Sequence, residues 1–199
     1  MLKVGITGGM GSGKSLVCQI FKQLGIPIYQ ADTEAKNLYF TNSQLKFELI
    51  SAFGSQVYLS DNELNKPFLR DVLKSPETRE ILNSIVHPKV FEHFEHWAQS
   101  QKTAYVLKEA AILFESGANK TVDTTIAVIA DPEIRLNRVL NRDHLPEEQI
   151  RSIMNSQLSN EELISRCKYI IYNNGNESLI EQVLAIHQQL LHQATHFGG

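Results

Sequence analysis

Eight residues near the amino terminus, Gly8-Gly9-Met10-Gly11-Ser12-Gly13-Lys14-Ser15, set glycines, a lysine and a hydroxyl at a spacing suited to holding phosphate. Glycines carry no Cβ, so successive backbone N–H groups can turn inward around an anion. A helix beginning near Gly13 would aim its positive dipole end at the same charge. Lys14 would neutralise the outer phosphates of a nucleoside triphosphate, and the Ser15 hydroxyl would hold Mg²⁺. The pattern G-x-x-x-x-G-K-[ST] therefore identifies a triphosphate site running from Gly9 through Leu16. It leaves the reaction open.

Asp32 closes the triplet Gln30-Ala31-Asp32 behind a second short strand, at the edge where open α/β sheets bind ligands. A carboxylate there suits a general base for an acceptor hydroxyl and suits a helix N-cap equally well. Arg138 and Arg142 stand one helical turn apart, and Arg151 follows on the next helical segment. On a segment that closes over ATP they would stabilise a transferring phosphoryl group; on a solvated face they would not. His87, just before Pro88, fits a structural role as well as a chemical one. His93 with His96, and His192 with His196, keep helical spacing but lack further metal-ligand residues, so they read as solvent-facing. Phe91, Phe94 and Trp97 read as core.

These groups need a scaffold. Val4 to Thr7 is a β-prone run, Ser15 to Leu24 an apolar-periodic helix ended by Gly25 and Pro27, and Ile26 to Tyr29 a second strand. Ala104–Leu107, Thr124–Ala130 and Lys168–Tyr172 read as three more strands, separated by helical patterns. Asp131-Pro132 starts a helix over Glu133–Asn141, Ser159 with Glu162 forms a capping box, and Glu177 to Gln193 is a closing helix. This alternation predicts a parallel α/β sheet covered on both faces. Two stretches interrupt it, a helical one over 33–97 and a polar one over 142–165, and both read as insertions above the sheet's carboxyl edge. Within the first, Ser75-Pro76 starts a helix, and His87-Pro88 is expected to end it at Val86 and open another.

The chain has 199 residues, 42% hydrophobic and 21% charged, enough for a sizeable core. A formal charge of −3 argues against a nucleic-acid or membrane-surface partner, which would favour a basic excess. Cys18 and Cys167 lack metal spacing, and a chain this long does not need a disulfide. With no signal-like or membrane-spanning run, the cytoplasm is the expected compartment.

Taken together, these residues resemble the dephospho-coenzyme A kinases over nearly the full chain. The family's G-[LI]-T-G-G-[IM]-G-S-G-K-S is matched by Gly5 through Ser15, and its L-N-x-[IL]-x-H-P by Leu82 through Pro88. Its P-L-L-F-E segment is matched from Ala111 to Glu115, and its R-x-x-x-R-D run from Arg138 to Asp143. Its R-x-x-x-x-x-Q run spans Arg151 to Gln157, and its late N-x-G is Asn173-Asn174-Gly175. The resemblance implies a P-loop NTPase-type sheet of about five strands, with a core over 1–32, 98–141 and 166–199. It also implies a substrate-binding region over 33–97 and a lid over 142–165. The implied reaction moves the γ-phosphoryl group of ATP to the ribose 3′-hydroxyl of dephospho-coenzyme A, with Mg²⁺, in a monomer or weak oligomer. Asp32 becomes the base, assisted by Lys14, Arg138 and Arg142. Thr7, His87 and Leu113 join Asp32 on the acceptor side, Asn173 lies on the adenine side, and Ser15 and Glu109 (through water) attend the metal. The chain departs from the family pattern where Gln30 replaces an acid, Glu109 an aspartate, and Ala111 a proline.

Overall fold

The computed structural model describes residues 1–61, 63–143 and 145–196. Five parallel strands form the central sheet: β1 (Leu2–Thr7), β2 (Ile28–Gln30), β5 (Tyr105–Glu109), β6 (Thr124–Ile129) and β7 (Tyr169–Tyr172), in the order β2-β5-β1-β6-β7. β1 lies at the centre. Its period-two pattern sends Leu2, Val4 and Ile6 to one face, where all three are fully buried. There they meet Val17 and Phe21 of α1 (Lys14–Gln23) and Val183, Ile186 and Leu190 of α9 (Leu179–His196). Truncating Phe21, which is fully buried, to alanine would cost about 3–5 kcal/mol.

On the opposite face Ala127 and Ile129 pack with Leu163 of α8 (Asn160–Arg166) and Cys167. Cys18 and Cys167 thus belong to separate core clusters, and both are free thiols. A third cluster joins α6 (Pro132–Arg142) to α7 (Glu147–Asn155) through Leu136, Val139 and Ile150. The capping box at Ser159 and Glu162 is formed, and Asp131 accepts the Glu133 N–H at the start of α6.

The chain divides into two compact units, Met1–Gln30 with Ala98–Gly199, and Ala31–Trp97. Segment 142–165 carries the end of α6, all of α7 and most of α8; His144 within it lies outside the described residues, as do residues 197–199. The second unit holds α2 (Ala31–Thr41), α3 (Ser43–Phe53), a two-stranded antiparallel ribbon of β3 (Tyr58–Ser60) and β4 (Glu63–Leu64), α4 (Lys66–Val72) and most of α5 (Pro76–Gln99). Leu38, Leu45, Leu49, Val57 and Phe94 are among its buried side chains.

Two expectations are corrected. β2 spans Ile28–Gln30, later than the predicted Ile26–Tyr29. Pro88 does not break its helix: α5 runs through it for 24 residues. An interior proline forfeits a hydrogen bond and crowds the preceding turn, at about 3 kcal/mol. Burial of Val86, Val90 and Phe94 on both sides of Pro88 offsets that cost, while the proline ring faces solvent.

Candidate active site

All five sheet strands run in one direction, so their carboxyl ends share an edge, and the chemistry-bearing residues gather there. β1 delivers the phosphate loop, β2 ends at Gln30, β5 at Glu109, and β7 leads into Asn173. The loop's turn depends on glycine at Gly11 and Gly13, with φ of +80° and +89°. A Cβ on Gly13 would stand 2.1 Å from the Asn173 Nδ2, and one on Gly11 would stand 2.5 Å from the Arg135 carbonyl oxygen. Alanine at either position would meet both strain and collision. The first amides of α1 have no intrahelical acceptors, and its first turn holds no acidic side chain. That helix end is an open site for an anion.

The loop is clamped from outside. Asn173 Nδ2 donates to the Ser12 carbonyl (2.8 Å), Arg135 Nε to the Met10 carbonyl (2.9 Å), and the Met10 N–H to Gln157 Oε1 (2.8 Å). Arg138 donates to the carbonyls of Asn173 (2.9 Å) and Gly11 (3.4 Å). The loop lines a cavity of about 520 Å³, together with Arg138, Arg142, Ala111, Ile153 and Gln157. Arg135 is only 5% exposed, and burial lowers its pKa from the ordinary guanidinium range. Arg142, in contrast, is exposed and makes a bidentate pair with Asp143 at 2.6 Å, which raises its pKa.

Ser15 and Glu109 meet directly. The Ser15 hydroxyl donates to Glu109 Oε1 at 3.1 Å, and Gln30 Nε2 donates to Glu109 Oε2 at 3.4 Å. Gln30 and Glu109 are register partners on adjacent strands, so the two departures from the family pattern form one hydrogen-bonded pair. Beneath them, burial and then the Glu109 carboxylate push the Cys18 thiol well above its usual range, so it remains protonated. A hydroxyl beside a largely buried carboxylate is a hard oxygen pair whose chemistry fits Mg²⁺.

The predicted residues fall into distinct places. Lys14 and Ser15 open α1, Leu16 is half exposed, and Thr7 is buried at the end of β1. Asn173 is largely buried and spends its amide on the loop, so it shapes the phosphate grip from behind. Leu113 is fully buried, its Cδ2 sits 2.8 Å from where a Gly5 Cβ would be, and its carbonyl accepts the Asn119 N–H at 2.9 Å. The Leu113 side chain thus packs into the core. In the second unit Asp32 is the exposed second residue of α2, inside the helix's first turn and past the N-cap position. His87 is half-buried and stacks on Phe91 with ring centroids 6.1 Å apart. Sequence reasoning missed Arg135 and gave Gln157 no role. The signal for Arg135 was its place one turn before Arg138.

A phosphate-gripping loop bounded by arginines, on the carboxyl edge of a five-stranded parallel sheet, defines a P-loop kinase. A family model described as dephospho-CoA kinase matches residues 2–178. The dephospho-CoA kinase of Bacteroides fragilis is 37% identical over 198 residues, covering 98% of this chain and 96% of its own length. A Thermus thermophilus protein of known structure superposes with a TM-score of 0.84 at 28% identity, covering 94% of this chain and 96% of its own. The dephospho-CoA kinase from Campylobacter jejuni shares the fold, with a TM-score of 0.67 at 24% identity over 96% of this chain and 98% of its own. The chain belongs to the dephospho-CoA kinase family and is an ATP-dependent phosphotransferase.

Proposed function

We propose that this enzyme transfers the γ-phosphoryl group of ATP to the ribose 3′-hydroxyl of dephospho-coenzyme A, giving coenzyme A and ADP. The observation that carries this reading is the convergence, around one 520 Å³ cavity, of the loop amides, Lys14 and Arg138. Loop amides and the start of α1 bind the phosphates, and Lys14 neutralises their outer charge. Arg138, held rigidly by two carbonyls, and Arg142, released from Asp143, stabilise charge spread over the transferring group. Asp32 orients the acceptor hydroxyl and takes its proton. His87 contacts the acceptor, residues 33–97 bind it, and 142–165 act as a lid that excludes water. Thr7 supports this acceptor side from the end of β1.

Ser15, and Glu109 through water, would hold Mg²⁺, which when bound would supply positive charge to offset that of the phosphates. The enzyme works in the cytoplasm as a monomer or weak oligomer. No helix among the described residues is long and apolar enough to cross a membrane. A coupled ADP-release assay should show turnover with dephospho-coenzyme A and none with nucleoside monophosphates. Turnover confined to nucleoside monophosphates would defeat the proposal.

A further inference from the structure

Met10 sits at the tip of the phosphate loop, and both of its peptide groups are engaged by side chains from α6 and beyond. Its carbonyl takes the Arg135 Nε, and its N–H goes to Gln157, in the short link between α7 and α8. This contact fixes which way round the Gln157 amide lies. A backbone N–H can meet only an acceptor, so Oε1 faces Met10 and the NH₂ end must point elsewhere. Among the described residues that NH₂ donates to no protein group. Gln157 is half-buried and lines the same cavity as Lys14, Arg138 and Arg142. The other donors lining that cavity are loop amides and cations, and Gln157 also borders a second cavity beside Arg135 and Asn160.

We infer that Gln157 is a further nucleotide-binding residue, whose NH₂ donates to the terminal phosphate of ATP while its Oε1 stays on the Met10 N–H. The inner phosphates are cradled by the later loop amides and the helix start. Met10 lies four residues before Lys14, on the loop's other lip, so a donor leaning over Met10 meets the outermost phosphate. A neutral amide suits that task, because it adds hydrogen bonds without holding the product by extra charge. Bound this way, Gln157 would tie the α7–α8 segment to the loop more firmly with ATP than with ADP.

The inference rests on the cavity being the ATP site, and titration of ATP and ADP into the full-length protein tests both separately. Wild-type protein that binds neither nucleotide would sink the ATP reading itself. Gln157→Glu keeps an oxygen for the Met10 N–H and replaces the donor end with a negative oxygen. It should weaken ATP at least tenfold while leaving ADP within about threefold, the scale of a lost charge-assisted hydrogen bond. Gln157→Met, which removes both ends without adding charge, should show the same selectivity at smaller size. It decides the matter if the glutamate variant does not fold. Equal weakening of both nucleotides would mean that Gln157 only shapes the loop. No weakening of either would mean that it touches neither, and each result overturns the inference.

Discussion

The two compact units use their polar and apolar side chains in opposite ways. In the sheet unit the polar groups at the carboxyl edge are tied to one another: Asn173, Arg135, Arg138 and Gln157 each make a hydrogen bond to the phosphate loop. The helical unit, by contrast, presents Phe47 at 67% and Leu59 at 61% exposure, and its Asp32 carboxylate is exposed too. Triphosphate is the same in every kinase, so a preformed grip serves it. The acceptor is what distinguishes one small-molecule kinase from another, and the unit assigned to it keeps apolar and polar surface open. On the proposed reading the labour is divided, with phosphate affinity assigned to the sheet unit and acceptor chemistry to the helical one.

Lys14→Ala tests the first half and should have the largest effect. Removing the loop's only ammonium should lower kcat on the order of 10³-fold, since no other lysine lines the cavity. Steady-state ADP release measures it, and retention of more than a tenth of wild-type kcat would place the essential charge elsewhere. Asp32→Asn tests the second half. Loss of a general base should lower kcat roughly 10²-fold while leaving ATP affinity unchanged. If ATP affinity fell in step with kcat, the division between the units would fail.

The smallest predicted effect lies in the sheet unit's closing helix. The Tyr105 hydroxyl and His187 Nδ1 lie 2.6 Å apart, linking fully buried Tyr105 on β5 to α9. Burial lowers the pKa of His187 from its ordinary 6.5, so the folded state favours the neutral ring. The unfolded chain then binds the proton more readily, and this contribution is complete above pH 6.5 and declines as the pH falls below it. His187→Gln should flatten the dependence of Tm on pH below about 6.5. An unchanged profile would assign that slope to other groups.

Contiguous signals were legible before the structure. The phosphate loop, the strand TTIAVIA and the Ser159 capping box each carry their cause within a few residues. The clamps on the loop were not, because Arg135, Gln157 and Asn173 reach it across 125, 147 and 161 residues of chain. Nothing in local spacing tells an arginine on a helix face whether a carbonyl waits beside it. The packing of Leu113 against Gly5 was hidden for the same reason, since the two lie far apart in the chain. At Pro88 the local rule was sound, but packing on both sides outweighed it.

The proposed reaction requires a sheet-held phosphate donor to meet an acceptor alcohol steered by Asp32. A crystal structure with dephospho-coenzyme A and a non-transferable ATP analogue tests it most directly. The Asp32 carboxylate should lie within about 3.2 Å of the ribose 3′-hydroxyl, which should face the terminal phosphate. An Asp32 turned away from that hydroxyl, with another base in its place, would contradict the claim.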